Sequence, residues 1–172
     1  MEAAPTPPTL RLLAWPDLSP GQQAQVRGLA VSEDGVEFAG AGDKQVAAVE
    51  AESGDDLVGL AIITGEQAVG FLVLKQRSKA PAWARPGDAV VSGMRIDQQV
   101  QGTGIGSSAL ALLPQWLRQH WPGCAAIALT VDENNLRGIK AYARAGFMDQ
   151  GLRETGRIGW VRRMRLPVSS AD

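Results

Sequence analysis

The alternation of hydrophobic and polar residues along the chain predicts both strands and helices. Two apolar runs, Leu57 to Thr64 and Ala68 to Leu74, flank the short stretch Gly65-Glu66-Gln67, and this spacing predicts a β-hairpin. Residues 104–119 place apolar side chains three and four positions apart, which predicts an amphipathic helix. The pattern therefore indicates a mixed α/β chain.

The remaining segments follow the same two periods. Ser19-Pro20 predicts a helix start, because serine can cap a helix, proline fits its first position and Gln22 completes a capping box. Pro114 interrupts the long helical pattern, so we expect a kink there or a shorter helix. The other predicted strands cover residues 10–15, 88–96, 125–131, 147–152 and 158–166, and the other predicted helices cover residues 44–52 and 135–145.

Length and composition narrow the class of protein. The 172 residues suggest one domain, which we place at residues 10–168, after a proline-rich extended tail at residues 1–9. A net charge of −1 argues against a nucleic-acid partner. Neither a membrane helix of roughly 20 apolar residues nor a signal peptide is visible, so we expect a cytoplasmic protein without a membrane partner. The single histidine, His120, makes a histidine-rich metal site impossible, and we expect no metal.

A glycine-rich segment, residues 101–107 with the sequence QGTGIGS, follows a predicted strand and opens a predicted helix. Backbone N–H groups converge at such a helix start and attract phosphate. The segment has no lysine for a Walker A loop, and its GxGxG spacing differs from the GxGxxG of a dinucleotide fold. A phosphate site and a glycine-rich turn without a ligand are both compatible with this segment alone.

A second motif comes about 30 residues later in a similar context. Asn135, Gly138, Tyr142 and Gly146-Phe147 follow a predicted strand and run along a predicted helix. Together with Gln101, Gly104 and Gly106, these residues resemble the coenzyme A motifs of the GNAT superfamily of N-acetyltransferases. Gly138 stands where that superfamily usually has alanine or serine. The resemblance covers residues 88–166.

The resemblance implies a fold and a cofactor. The fold is a single α/β (α+β) domain with a mixed, mostly antiparallel sheet of six or seven strands and about four helices. The strand before the glycine turn and the strand at residues 125–131 should run parallel and splay apart, with acetyl-CoA between them. The residues implied to bind the cofactor are Met94, Arg95, Ile96, Gln101, Gly102, Thr103, Gly104, Ile105, Gly106, Ser107, Asn135 and Tyr142.

The implied reaction is attack of an amine on a thioester. An alkylamine with a pKa near 10.4 is neutral in only about one molecule in 2,500 at pH 7, so the site must remove a proton. Glu33, Asp34 and Glu37 lie in the segment that lines the acceptor side in this superfamily, and Glu37 is our first choice as the base. Tyr142, with an ordinary pKa near 10, could protonate the leaving thiolate.

Several acceptors stay open. The chain looks most like the bacterial spermine/spermidine branch, through Val69-Gly70-Phe71 and Arg95-Ile96-Asp97. However, it has Gly159-Trp160 where that branch carries Gly-Glu, so an acid that could hold a polyamine is missing. We expect a small-molecule amine acceptor. The alternatives are a protein or peptide N-acetyltransferase and a non-catalytic acyl-CoA-binding module, and a homodimer stays open.

Overall fold

The computed structural model of the protein describes residues 9–29, 42–156 and 159–168. Within these ranges the chain forms seven strands and four α-helices. The strands are β1 (Leu10–Ala14), β2 (Leu57–Thr64), β3 (Gln67–Lys75), β4 (Asp88–Ile96), β5 (Ala126–Asp132), β6 (Met148–Gly156) and β7 (Gly159–Pro167). The helices are α1 (Pro20–Arg27), α2 (Gly42–Glu52), α3 (Ile105–His120) and α4 (Leu136–Arg144).

The described strands form one sheet in the order β1-β2-β3-β4-β5-β7-β6. Every neighbouring pair is antiparallel except β4 and β5, which run parallel. The parallel pair is joined by a crossover through α3, as a parallel connection requires. The mixed, mostly antiparallel sheet and its parallel central pair are therefore confirmed.

Helices cover both faces of the sheet, and β3 shows how the strand alternation supplies each face. Leu72 and Leu74 pack with the α3 residues Leu110, Leu113 and Leu117. The residues of β3 that alternate with these leucines, Phe71 and Val73, pack instead with apolar residues of α1 and α2, which are Val26, Val46 and Val49. Successive side chains of a strand point to opposite faces, so both core layers follow from a strand that is apolar at nearly every position.

Local sequence signals fix most of the element ends. The side chain of Ser19 accepts a hydrogen bond from the backbone N–H of Gln22, and the side chain of Gln22 accepts one from the backbone N–H of Ser19. The predicted capping box is thus confirmed. The first strand ends one residue early, at Ala14, because Trp15 and Pro16 enter a 3-10 turn in which the Trp15 ring packs edge-on against Phe71.

Of the two alternatives expected at Pro114, a kink or a shorter helix, the structure rules out the shorter helix. α3 runs through this residue to His120, past the predicted end. Leu110, Leu113 and Leu117 are fully buried on either side of the proline. Burial of a leucine side chain contributes about 1.5–3 kcal/mol, so three of them offset the roughly 3 kcal/mol that an interior proline costs. The kink stays a prediction. The tail and the domain limits also stay predictions, because residues 1–8 lie outside the described ranges.

Candidate active site

The cleft of the protein opens where β4 and β5 separate. The two strands pair at only three registers, Asp88 with Ala126, Ala89 with Ile127 and Val90 with Ala128. Both strands then continue without pairing to each other, β4 to Ile96 and β5 to Asp132. The resulting cleft has a volume of about 1290 Å³. Its walls include strand backbone that the parallel ladder leaves unpaired, which can hydrogen-bond an extended ligand as an added strand does.

A bulge in β4 shapes one wall of this cleft. β3 pairs Phe71 with Arg95 and Val73 with Ser92, so the single residue between them on β3 faces two residues of β4, Gly93 and Met94. Gly93 has a φ of +58°, in the left-handed region that favours glycine. A bulge turns the local backbone away from the regular ladder. It therefore changes the direction of the backbone groups of Met94, Arg95 and Ile96, all of which line the cleft.

Gln45 of α2 holds this bulge from outside the strand. Its side-chain amide donates to the carbonyl of Gly93, and its side-chain oxygen accepts from Nε of Arg95 at 3.1 Å. Arg95 is buried, with 6% of its surface exposed. Its predicted contribution was backbone only, whereas the structure shows its side chain joining β4 to α2. Sequence reasoning missed Gln45, although a glycine inside a strand was a signal for the bulge.

The glycine turn leaves space at the start of α3. Gly102 and Gly104 have φ values of +82° and +87°, and a Cβ at either position would meet no atom within 4 Å. Gly104 is the N-cap of α3 and carries no side chain that could satisfy the first helical N–H groups. Gly104, Ile105, Gly106 and Ser107 all line the cleft. Unpaired N–H groups at a helix N-terminus beside open space form a site for phosphate.

The side chains of Gln101 and Thr103, both predicted to bind the cofactor, have other partners within the protein. Gln101 lines the cleft, but its amide donates to the carbonyl of Ile96 at 3.1 Å and its side-chain oxygen accepts from Arg137. The hydroxyl of Thr103 donates to the carbonyl of Val100, and Thr103 is not among the lining residues. Both side chains therefore shape the turn, and Gln101 also joins it to α4.

Asn135 stands at the N-cap of α4. Its side-chain oxygen accepts from the backbone N–H of Gly138 at 3.0 Å, and the residue lines the cleft. A Cβ at Gly138 would lie 2.5 Å from Nδ2 and 2.9 Å from Cγ of Asn135. Glycine at position 138 therefore leaves room for the capping side chain of Asn135, which a larger residue would displace.

Tyr142 brings a hydroxyl group into the same cleft. Its ring packs edge-on against Phe147, with ring centroids 5.8 Å apart. No hydrogen bond within the described part of the chain involves its hydroxyl. Burial raises the pKa of Tyr142 from 10.0 to about 12, because the charged phenolate loses hydration. The hydroxyl therefore stays protonated throughout the ordinary pH range and is available as a donor.

Charge around the cleft is mostly positive among the described residues. The cationic lining residues are Lys44, Lys75, Lys79, Arg95, Arg137, Lys140 and Arg144, and the acidic ones are Asp132 and Glu154. Glu154 is already paired with Arg163 through two hydrogen bonds of 3.2 and 2.8 Å. The predicted acceptor acids, Glu33, Asp34 and Glu37, lie outside the described residues. No group of three or more potential metal ligands occurs among the residues that are described.

Coenzyme A fits this arrangement. Its pyrophosphate needs N–H donors and open space, which the glycine turn offers, and Arg137, Lys140 and Arg144 on α4 add positive charge to the cleft. Its extended arm needs unpaired strand backbone, which the separated β4 and β5 offer.

The comparison with known families agrees with this geometry. Residues 33–147 match the model described as the acetyltransferase (GNAT) family, which is more than half of the chain. The chain belongs to the GNAT family. Two curated relatives of this GNAT chain come from Bacillus subtilis (strain 168). The uncharacterized N-acetyltransferase YbbJ is 29% identical over 100 residues, which cover 57% of this chain and 62% of YbbJ. The spermine/spermidine N(1)-acetyltransferase is 39% identical over 56 residues, which cover 33% of this chain and 36% of that protein.

The matched part of the GNAT chain thus spans less than two thirds of either relative. Among solved structures, the aminoglycoside acetyltransferase AAC(6')-Ib in complex with coenzyme A shares the fold with a TM-score of 0.69. The match covers 92% of this chain and 94% of that one at 22% identity. None of the helices that the structure describes is long and apolar enough to span a membrane.

Proposed function

We propose that the protein is an acetyl-CoA-dependent N-acetyltransferase that acetylates a primary amine of a small molecule by direct attack. One observation carries this proposal. A helix N-terminus without a side-chain cap, the unpaired edges of β4 and β5 and the hydroxyl of Tyr142 all line a single cleft. Phosphate binding, arm binding and proton donation are the three tasks that the donor requires, and the cleft has a group for each.

When bound, acetyl-CoA supplies an activated acetyl group whose transfer to an amine releases a thiol. The N–H groups at the start of α3 bind the phosphates, with α4 cations nearby. The backbone beside the β4 bulge orients the arm, and an N–H there can polarise the acetyl oxygen. The residues of the cleft thus hold the reacting group in one orientation, which is a large part of what an acyl-transfer site must do.

Tyr142 is the proposed proton donor to the departing sulfur. Its pKa of about 12 lies about 3.5 units above the reference for a thiol, near 8.5. Complete transfer to a free thiolate would then be unfavourable by roughly 5 kcal/mol. With the ordinary tyrosine pKa near 10, the difference would be only about 1.5 pKa units. Burial raises the pKa of a thiolate formed in the same cleft as well, so the difference narrows there. Tyr142 therefore acts by donating as the negative charge develops.

The proton of the amine needs a different acceptor. Both carboxylate oxygens of Glu154 already accept hydrogen bonds from Arg163. Glu37 stays our proposal for the base, either directly or through water, with Glu33 and Asp34 as further candidates for binding the acceptor.

The test combines binding and turnover on one preparation. Calorimetry measures the affinity for acetyl-CoA, and thiol release is followed over a panel of polyamines, amino acids, aminoglycosides and peptides, with acetylated products identified by mass spectrometry. The proposal expects binding and acetylation of a small amine. Binding without any transfer would support the non-catalytic acyl-CoA-binding module, and transfer to peptides alone would support the peptide acetyltransferase.

A further inference from the structure

The end of the cleft where β4 and β5 still pair carries a charge pattern that bears on the substrate class. We propose that the acceptor amine also carries an anionic group, a carboxylate or a phosphate, and that Lys75 recognises this group. The inference rests on the proposed function and extends it, because it names the chemistry of the acceptor at the same site.

Sheet register places Lys75 beside the point where the cleft opens. Lys75 pairs with Val90 of β4, and Val90 pairs with Ala128 of β5 in the last register before the two strands separate. Lys75 follows Val73 by two positions, so it shares the sheet face of Val73, which packs towards α1 and α2. Val91, one position after Val90, packs instead with the α3 core, so Val90 shares the face of Lys75.

Two other partly buried cations on this face, Arg165 and Arg163, each have a carboxylate partner; Met164 between them packs with the α3 core, so they point to the face of Lys75. Nε and Nη2 of Arg165 donate to Asp88 at 2.9 and 3.1 Å, and this pair raises the pKa of Arg165. Arg163 makes the same kind of two-bond contact with Glu154. These pairs are neutral as units and leave little charge to attract a ligand.

Lys75 differs from them. It is partly buried and lines the cleft, yet in the part of the chain that the structure describes it has no ion-pair or hydrogen-bond partner. Removing a charged group from water is unfavourable unless an opposite charge accompanies it. An anion on the bound acceptor would provide that charge.

Two neighbouring lysines add to the positive charge at Lys75. Lys44 and Lys79 also line the cleft, and Lys79 makes a long, exposed contact of 3.6 Å with Glu52. Among the described residues, a cation such as a polyamine would meet these three ammonium groups, while Glu154 is occupied by Arg163 and Asp132 has an interaction of its own. A carboxylate or phosphate would meet them with favourable charge, and a charged hydrogen bond to an ammonium is stronger than a neutral one.

The test uses three acceptors of similar length that differ in the charge of one end: γ-aminobutyrate, its primary amide and putrescine. Phosphoethanolamine adds a phosphate arm, which separates the two sources of negative charge. We expect the wild-type kcat/KM to be highest for the carboxylate or the phosphate, lower for the amide and lowest for the diamine. We expect Lys75→Gln to lower kcat/KM for the preferred anionic amine by about 10- to 100-fold, the range of a lost hydrogen bond to a charged group, and that for the amide by less than about threefold.

Arg11→Gln is the matched control, because it removes one positive charge on β1, where Arg11 contacts Glu66 outside the cleft. It should leave the order of acceptors unchanged. Lys75→Glu should shift the preference towards putrescine. A wild-type preference for putrescine, or an equal loss for the anionic and neutral amines in Lys75→Gln, would overturn the inference.

A second measurement separates this inference from the proposed function. The N-acetylated forms of the same four amines are titrated into the protein saturated with coenzyme A, and their affinities are compared by calorimetry. Tighter binding of the anionic products that is lost in Lys75→Gln supports the role of Lys75 even if none of the amines is turned over. Turnover of amines without any anionic preference would support the acetyltransferase and reject the role of Lys75.

Discussion

Replacement of Tyr142 by phenylalanine tests the proton donor with the smallest possible change. The ring and its edge-on packing against Phe147 are kept, and only the hydroxyl is lost. General acid catalysis contributes typically 10²–10⁴-fold. Because the high pKa of Tyr142 makes it a weaker acid than an ordinary tyrosine, we expect the lower half of that range, a fall in kcat of about 10²–10³-fold.

Binding and stability should respond differently from turnover. The hydroxyl has no hydrogen-bond partner in the described part of the chain, so its loss breaks no internal bond. We therefore expect Tyr142→Phe to keep the affinity for acetyl-CoA within about threefold and to leave the free energy of unfolding within about 0.5 kcal/mol of wild type.

The assay measures kcat by thiol release, Kd by calorimetry and unfolding by urea on one preparation. Thr64→Val is the control, since it removes a hydroxyl that does not line the cleft, and it should not lower kcat. Turnover of Tyr142→Phe within threefold of wild type would refute the role of donor. A weaker affinity with a matching fall in rate would show that Tyr142 positions the thioester and that water supplies the proton.

Three further predictions concern the turn, the α4 cap and alkaline pH. Gly104→Ala puts a side chain at a φ of +87°, at a strain of roughly 1–2 kcal/mol, and should weaken acetyl-CoA binding at least tenfold by calorimetry. Gly123→Ala, at a glycine with ordinary φ and open surroundings, should not. Gly138→Ala should stabilise the helix by the usual amount of about 1 kcal/mol only in an Asn135→Ala background. In the wild-type background its Cβ would displace the capping side chain of Asn135. Equal gains in both backgrounds by urea unfolding would contradict this. Folding raises the pKa of Tyr142 from 10.0 to about 12, because ionisation of the buried hydroxyl is unfavourable. Wild-type stability should therefore hold below pH 10 and fall as the pH rises towards 12, by roughly 3 kcal/mol for two pKa units. Tyr142→Phe should not show this fall when unfolding is compared across that pH range.

The sequence predicted the elements whose signals are local. β2 and β4 begin and end at the predicted residues, Leu57–Thr64 and Asp88–Ile96, because each is a strongly apolar run bounded by turn residues. The capping box at Ser19 depends on residues three apart, so it is also readable from the chain. Glycines at the start of α3 pointed to the correct end of the cleft for the same reason.

Features that depend on distant residues could not be predicted. The bulge at Gly93 appears only once the register between β3 and β4 is known, and period-two patterning does not fix where an extra residue enters. Gln45 reaches this bulge from α2 across 48 positions of sequence. Pro114 is held in a helix by its buried neighbours, which local propensity cannot show. That Lys75 has no partner within the described ranges also became visible only when the ion pairs of Arg163 and Arg165 were known.

We propose that acetyl-CoA binds between β4 and β5 with its phosphates at the start of α3. Amide hydrogen exchange with and without coenzyme A tests it most directly, since it needs no knowledge of the acceptor. We expect slower exchange at residues 102–107 and at Met94 to Ile96, with little change in the β2–β3 hairpin at Gly65. Saturation with coenzyme A that leaves residues 102–107 unprotected, or that protects a surface away from the cleft, would contradict it.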